Sequence, residues 1–205
     1  MTLWAVVPVK PLRQAKSRLA AVLTEAERVE LSLWMFSRTL EVLAEVREIS
    51  ATLVVSADPD VLGLASAAGG VALPESDPPN LNRALLLARE AARTAGASAV
   101  LVLSADLPRL AASDVLAMAG LAARPPTLVI APDRHGRGTN ALLVAPAALI
   151  EFEFGVDSLA RHVARARAVG ARVEICDLPA LALDLDSPED LELVRRGEPL
   201  LAPKE

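Results

Sequence analysis

The stretch Ala99–Ser104, with the sequence Ala-Val-Leu-Val-Leu-Ser, decides the fold class. Its five consecutive apolar residues are too few for a helix of ordinary length, and they show no alternating polar face. Such a run is typical of a strand that is buried on both faces of a sheet. A strand of this kind needs helices packed above and below it, and the rest of the chain supplies them.

Strands and helices alternate on either side of this stretch. Similar apolar runs predict strands at Leu3–Val9, Thr52–Ser56, Val71–Leu73, Leu128–Ala131, Ala141–Val144 and Arg172–Cys176. Helices are predicted from the Thr24 cap to about Val46, from Pro59 to near Gly69, at Leu81–Ala95, Ser113–Leu121 and Asp157–Val169, and from Pro188 onward. The alternation predicts one α/β domain at 1–196, with a mostly parallel mixed sheet covered by helices on both faces, and a C-terminal tail at 197–205.

Composition excludes several function classes. The chain has 205 residues with 21 Lys and Arg against 26 Asp and Glu, and this acidic balance argues against a nucleic-acid partner. One cysteine excludes an internal disulfide, and two histidines disfavour a zinc site. No apolar run approaches the roughly 20 residues of a membrane span, and the N-terminus lacks a signal-peptide pattern. We therefore expect a cytoplasmic protein with no membrane partner.

A basic segment follows the first predicted strand. Lys10, Arg13, Lys16 and Arg18 place four cations within nine residues. Several cations on one loop can offset the charge of a polyphosphate, although a solvated basic turn has the same composition. The segment contains no glycine, so it is neither a P-loop nor the dinucleotide-binding fingerprint.

Carboxylates follow two of the apolar segments. Asp106 comes directly after the central strand, at the end of a strand where open α/β sheets bind ligands, and it is placed to hold a hard cation such as Mg²⁺. Asp184 and Asp186 share one side of the chain if that segment is extended. Helix capping is the alternative for Asp186, because Ser187-Pro188 opens a helix, but Asp184 lies too early to cap.

Two later loops combine glycine with polar side chains. Arg137-Gly138-Thr139-Asn140 could present charge and hydrogen bonds to an anion, or form a simple hairpin turn. Gly155 to Ser158 precedes a helix whose first amides could take a phosphate, with ordinary capping as the alternative. His162, one turn later, could line the same site or the edge of the core. Asn82 could read a nucleobase edge or cap a helix.

Taken in order, these segments resemble the 2-phospho-L-lactate guanylyltransferase family, whose bacterial members are also described as phosphoenolpyruvate guanylyltransferases. The matching stretches are Val7–Lys10, Ala15–Leu19, Leu81–Ala84, Ser104–Pro108, Arg137–Leu142, Phe154–Ser158 with His162, and Leu183–Leu191. The resemblance implies a Rossmann-like nucleotidyltransferase fold similar to that of glycosyltransferase A enzymes. It also implies transfer of GMP from GTP to a phosphorylated three-carbon acid, early in the synthesis of coenzyme F-420.

The resemblance assigns roles by position. It implies that the GTP phosphates face Lys10, Lys16 and Arg18, and that guanosine lies near Asn82. It implies that Asp106, a catalytic residue, holds Mg²⁺ together with Asp184. The acceptor's phosphate and carboxylate would be held by Thr139, Gly155 and Ser158, and we expect Arg137 and Asn140 beside them. The segment Asp77–Asn80 departs from the family, whose members commonly have glycines there.

Other functions stay open from sequence alone. Another nucleotidyltransferase of the same fold, of the molybdopterin or sugar-phosphate type, would usually carry a glycine-rich loop after the first strand. A non-catalytic nucleotide-binding domain would bind without releasing pyrophosphate. The acceptor could be 2-phospholactate, phosphoenolpyruvate or 3-phosphoglycerate. The apolar content permits a homodimer.

Overall fold

The computed structural model describes residues 1–75 and 80–196. Its strands are β1 (Leu3–Pro8), β2 (Ile49–Ser56), β3 (Val71–Pro74), β4 (Ala99–Leu103), β5 (Thr127–Pro132), β6 (Thr139–Ala145) and β7 (Arg172–Ile175). Together they form one sheet in the order β3-β2-β1-β4-β6-β5-β7. The predicted tail at 197–205 and most of the segment Asp77–Asn80 lie outside the described residues.

Helices connect most of the strands. They are α1 (Glu25–Glu45), α2 (Pro59–Ala67), α3 (Leu81–Thr94), α4 (Ala112–Leu121), α5 (Ser158–Ala168), α6 (Pro179–Ala182) and α7 (Pro188–Arg195). Side chains fix several helix starts: Thr24 and Glu27 form a capping box at α1, and Asp58, Asn80 and Ser187 cap α2, α3 and α7. The α1 cap predicted from sequence is confirmed.

The sheet is mostly parallel, as the sequence predicts. β1 pairs in parallel with both β2 and β4, β2 with β3, and β5 with β7, whereas β6 runs antiparallel to β4 and β5. The sheet therefore grows from β1 through β2 to β3 on one side. The chain then returns to the other side of β1, where it forms β4. Where strand order reverses in this way, the carboxyl ends of the two strands open a crevice that can bind ligands.

The central strand β4 confirms the prediction made from its apolar run. All five of its residues are buried. Leu101 and Leu103 belong to the core cluster on one face of the sheet, and Val100 and Val102 to the cluster on the other face. Because successive side chains of a strand point in opposite directions, a strand between two cores must be apolar at every position.

The largest differences from the sequence prediction are in β2 and α6. β2 begins at Ile49 rather than Thr52, so it is three residues longer at its start. The helix α6 was not predicted, because it has only four residues and no side-chain cap. No helix of the described residues is both long and apolar enough to cross a bilayer.

We expect the substitution Leu101→Ala to lower the free energy of unfolding by about 2–5 kcal/mol, because it leaves a cavity in the middle of the core. Leu101 is fully buried, whereas Leu116 on α4 is 41% exposed. The matched variant Leu116→Ala should therefore change stability by only about 0.5 kcal/mol. Urea unfolding of the three proteins checks this prediction, and equal losses in the two variants would contradict it.

Candidate active site

A cavity of about 450 Å³ lies at the carboxyl ends of β1 and β4. Its wall combines the segment after β1, part of α1, the start of α3 and the segment after β4; the lining includes Lys10, Leu12, Lys16, Met35, Phe36, Glu75, Asn80, Leu81, Ser104, Asp106 and Asp186. This volume falls within the range of about 300–1,000 Å³ that is usual for small-molecule sites. The position at the strand-order reversal is the one that the fold predicts.

The basic segment after β1 wraps one side of this cavity. It forms two 3-10 turns, Leu12–Gln14 and Ser17–Leu19, with Lys16 between them in the left-handed backbone conformation at φ 54°. The Lys16 side chain is only 7% exposed, and its Nζ atom lies 2.7 Å from Asp106 Oδ2 and 2.9 Å from Asp186 Oδ1. The ammonium group thus lies between two carboxylates that come from distant parts of the chain.

The ion pairs dominate the protonation of these groups. Burial lowers the pKa of an ammonium, but Asp106 and Asp186 outweigh this effect and raise the pKa of Lys16 above its ordinary value. Burial also raises the pKa of a carboxyl, yet Lys16 and the hydroxyl of Ser104 hold the pKa of Asp106 below its usual range. Lys16 is therefore charged and Asp106 ionised at neutral pH.

A third carboxylate completes an acidic cluster. Oxygen atoms of Asp106, Asp184 and Asp186 lie within 4.8 Å of one another. Burial and the negative charge of Asp106 raise the pKa of Asp184, while the Asn140 amide acts in the opposite direction. Hard divalent cations prefer carboxylate oxygens, so this donor set suits such an ion, which would share Asp106 and Asp186 with the ammonium of Lys16.

Asp186 has a different partner from the one that capping chemistry suggests. Ser187 caps α7, and Asp190 completes the capping box. The carboxylate of Asp186 instead faces Lys16, with Arg18 Nη1 3.9 Å away. The capping interpretation of Asp186 is therefore wrong, and the extended spacing that places Asp184 and Asp186 on the same side agrees with the cluster.

The three cations expected near GTP occupy different positions. The side chain of Lys16 is 7% exposed, whereas Lys10 is exposed, and both residues line the cavity. Arg18 is 76% exposed and lies at the outer edge of the acidic cluster. Lys10 and Lys16 thus present positive charge to the cavity, while contact of Arg18 with a phosphate stays a prediction.

A second group of polar residues lies beside Asp184. Asn140 is buried, and its Nδ2 atom donates to the carbonyl of Leu181 at 2.9 Å and to Asp184 Oδ1 at 3.2 Å. The preceding residue, Thr139, accepts a hydrogen bond from Ser158 Oγ at 3.0 Å. Asn140 therefore holds the carboxylate of Asp184 in place, and Thr139, its neighbour in sequence, forms a hydroxyl pair with Ser158.

His162 lies beneath this hydroxyl pair. Its side chain is fully buried, and its Nδ1 atom is 3.3 Å from Thr139 Oγ1. Its Nε2 atom accepts a hydrogen bond from the backbone N–H of Glu153 at 2.9 Å. Burial lowers the pKa of His162 to about 4, so the imidazole is neutral at physiological pH.

Asn82 secures the neighbouring loop. Its amide oxygen accepts from the Phe154 N–H at 2.8 Å, and its Nδ2 atom donates to the Phe154 carbonyl at 3.1 Å. Gly155 follows with φ 127°, a conformation that residues with a side chain rarely adopt. Asn82 is not among the described residues that line the cavity, so its expected position near guanosine stays a prediction.

The start of α5 is already hydrogen-bonded to the protein. The amide of Ser158 donates to the Gly155 carbonyl, and the amide of Leu159 donates to the Arg137 carbonyl. Asp157 stands at the N-cap position, but its side chain forms an ion pair with Arg137 at 2.9 Å rather than a cap. An anion bound here would therefore meet side-chain donors more readily than these two amides.

The comparisons with known proteins identify the family. A family model described as guanylyl transferase, CofC like, matches residues 3–201. The chain belongs to this family. The phosphoenolpyruvate guanylyltransferase of Rubrobacter xylanophilus is 45% identical over 193 residues, which cover 93% of this chain and 92% of that protein. The enzyme of the same name from Conexibacter woesei is 41% identical over 201 residues, covering 95% and 88%.

Solved structures place the CofC-like chain in a wider fold group. A nucleotidyl transferase from Methanothermobacter has a TM-score of 0.65 and 15% identity, covering 96% of this chain and 97% of that one. CMP:2-keto-3-deoxy-manno-octonic acid synthetase, solved with CTP, has a TM-score of 0.63 and 15% identity, covering 96% and 98%. These similarities confirm the predicted nucleotidyltransferase fold.

Sequence reasoning missed supporting residues of this CofC-like site. Ser104 donates to Asp106 Oδ1 at 2.5 Å, and its place two residues before a strand-end aspartate is a local signal that could have identified it. Asn82 was singled out, but its hydrogen bonds to Phe154 span 72 residues and leave no local signal. Asn140 was expected among the substrate residues; the structure shows its amide donating to Asp184, and contact with the acceptor stays a prediction.

In metal-free buffer, we expect Lys16→Met to lower the free energy of unfolding by up to about 3 kcal/mol, because Asp106 loses the cation that offsets its burial. Arg18 has a long and exposed contact with Asp186. The matched variant Arg18→Met should therefore cost less than about 1 kcal/mol. Chemical denaturation in the presence of a chelator measures both values. An equal effect of the two substitutions would contradict the conclusion that Lys16 is the cation that offsets the burial of Asp106.

Proposed function

We propose that this CofC-like protein transfers GMP from GTP to phosphoenolpyruvate and releases pyrophosphate, as an early step in the synthesis of coenzyme F-420. The observation that carries the proposal is the arrangement of Lys16 with Asp106, Asp184 and Asp186, to which Asn140, the residue after Thr139, is hydrogen-bonded through Asp184. The names of the two relatives favour phosphoenolpyruvate among the three acceptors that the sequence leaves open.

The reaction needs no side chain as a general base. The second pKa of a phosphate monoester is about 6, so the acceptor phosphate is largely dianionic at neutral pH. One of its oxygens forms a bond to the α-phosphorus of GTP. The bond from that phosphorus to the oxygen bridging to the β-phosphate breaks, and pyrophosphate leaves with the electron pair.

The protein's task is to bring two polyanions together. Lys10 and Lys16 would offset charge on the GTP phosphates in the cavity, with Arg18 at its edge. The carboxylates of Asp106, Asp184 and Asp186 would hold Mg²⁺, which when bound offsets phosphate charge and orients the leaving group. Holding the two substrates in a reactive orientation supplies much of the rate, of the order of 7 kcal/mol or more in well-oriented systems.

The acceptor would bind on the other side of the carboxylates. Thr139 and Ser158 supply hydroxyl groups there, Gly155 supplies a close backbone approach, and Arg137 supplies positive charge at the rim. Asn140 would hold Asp184 through its amide nitrogen and lie beside the acceptor. The acceptor phosphate and the α-phosphate of GTP would then meet at the acidic cluster, as the attack requires.

We expect pyrophosphate release to require both GTP and phosphoenolpyruvate in the presence of Mg²⁺. Each of 2-phospholactate, phosphoenolpyruvate and 3-phosphoglycerate is offered separately, and ATP replaces GTP as the control nucleotide. If pyrophosphate were released only with one of the other two acceptors, that acceptor would be the substrate and the reaction would still be guanylyl transfer. Nucleotide binding without release under every condition would support the binding-only alternative and overturn the proposal.

The substitution Asp106→Asn should abolish turnover while leaving the fold intact, because it removes a carboxylate from the proposed magnesium site but keeps the side-chain volume. Asp60 is exposed in the first turn of α2, so Asp60→Asn is the matched control and should keep activity. Pyrophosphate release is measured for both variants across a range of Mg²⁺ concentrations. Activity retained by Asp106→Asn at saturating Mg²⁺ would rule out the metal assignment.

A further inference from the structure

The buried ring of His162 has a defined proton arrangement. Its Nε2 atom receives the backbone N–H of Glu153 at 2.9 Å. A backbone N–H can only donate, so Nε2 must be unprotonated. The neutral ring therefore carries its proton on Nδ1, and this proton is directed at Thr139 Oγ1, 3.3 Å away.

This arrangement determines what the hydroxyl of Thr139 can do. Its oxygen receives a proton from His162 and a second one from Ser158 Oγ at 3.0 Å. A hydroxyl oxygen has two lone pairs, so both of its acceptor positions are then used. The remaining capability of Thr139 is to donate its own proton, away from His162 and Ser158.

We propose that His162 is a positioning residue that fixes Thr139 as a hydrogen-bond donor toward an anionic oxygen of the acceptor. This inference rests on the proposed function, in which the acceptor binds beside Thr139. His162 is fully buried and Ser158 is 1% exposed, whereas Thr139 is half-buried and forms the accessible end of the chain of hydrogen bonds. His162 thus acts through Thr139 and does not touch the substrate.

With the opposite tautomer of His162, Thr139 would no longer favour an anionic ligand. A proton on Nε2 would face the N–H of Glu153, so that two donors would oppose each other. The bare Nδ1 would then draw the proton of Thr139 inward, and the threonine would present lone pairs to the acceptor. Lone pairs repel an anion, so the amide of Glu153 indirectly selects for a phosphate or carboxylate ligand.

The surroundings of His162 keep it neutral. Burial is the main cause of its lowered pKa. The carboxylate of Glu153 opposes this effect, and the positive charges of Arg161 and Arg165 reinforce it. The ring of Phe154 packs edge-on with its centroid 4.9 Å from that of His162. Protonation of the ring is therefore confined to pH values near 4, well below the working range of a neutral-pH enzyme.

Kinetics can test whether His162 acts through Thr139. We expect His162→Phe to raise the KM for the acceptor about tenfold or more, the effect of a hydrogen bond to a charged group, with little change in the KM for GTP. His162→Asn keeps a donor close to the Nδ1 position and should recover part of the loss. His135 is exposed, so His135→Phe is the matched control and should leave both KM values unchanged.

A double-mutant cycle makes this test specific. Thr139→Val removes the hydroxyl and keeps the shape, and it should raise the acceptor KM by itself. If His162 acts only by orienting that hydroxyl, then His162→Phe has little further effect in the Thr139→Val background. Additive effects of the two substitutions, or an unchanged acceptor KM in His162→Phe, would overturn the proposal.

The tautomer can be observed without any substrate. The chain has only two histidines, so ring-nitrogen NMR of the wild type, with His135→Phe for assignment, resolves the His162 signals. We expect a protonated Nδ1 and a bare Nε2 at pH 7, unchanged down to about pH 5. A proton on Nε2, or a charged ring at pH 6, would contradict the inference. If the wild type turned over none of the three acceptors, the proposed function would fail, and the NMR result would still decide the tautomer.

Discussion

The ammonium group of Lys16, held between Asp106 and Asp186, is the interaction on which the rest of the site depends. It joins the segment after β1 to the end of β4 and to the segment before α7, across 90 and 170 residues of sequence. Three carboxylates this close would repel one another, so a buried cation among them lowers the cost of bringing these segments together. The ion pairs also hold Lys16 in a left-handed conformation, which is unfavourable for a residue with a side chain.

The site has a charged half and a neutral half that meet at Asn140. On the charged side, Lys16 lies between Asp106 and Asp186, and Asp184 lies close to both carboxylates. On the other side, His162, Thr139 and Ser158 form a neutral hydrogen-bond chain inside the protein. A neutral donor can bind an anion without adding to the charge already concentrated next to it. Under the proposed function, this separation would allow two polyanionic substrates to bind close together while each half keeps its own geometry.

The fold was predictable because its signals are local. The apolar run of β4, the capping box at Thr24 and the strand-helix alternation each lie within a few neighbouring residues, and all agree with the structure. The spacing of Asp184 and Asp186 was also informative, since it depends only on an extended backbone. The partners of Asp186 and Asn82 could not be predicted, because helix capping explains the same residue types and the true contacts cross the whole chain.

The segment after β1 contains no glycine, and its backbone is held in place by a hydrogen bond to a side chain and by two buried leucines. A glycine-rich loop binds phosphate through backbone amides that approach it closely. Here the backbone is fixed in other ways: the amide of Leu12 donates to Asp58 Oδ2 at 2.9 Å, and Leu12 and Leu19 are buried in the core. Asp58 also caps α2, so the loop and that helix share one carboxylate. The amides of Leu12, Gln14, Ala15 and Leu19 already donate within the protein, so under the proposed function the loop would offer a nucleotide chiefly the side-chain cations of Lys10, Lys16 and Arg18. Recognition of the triphosphate should therefore depend more on charge, and more strongly on ionic strength, than in a site built from backbone amides.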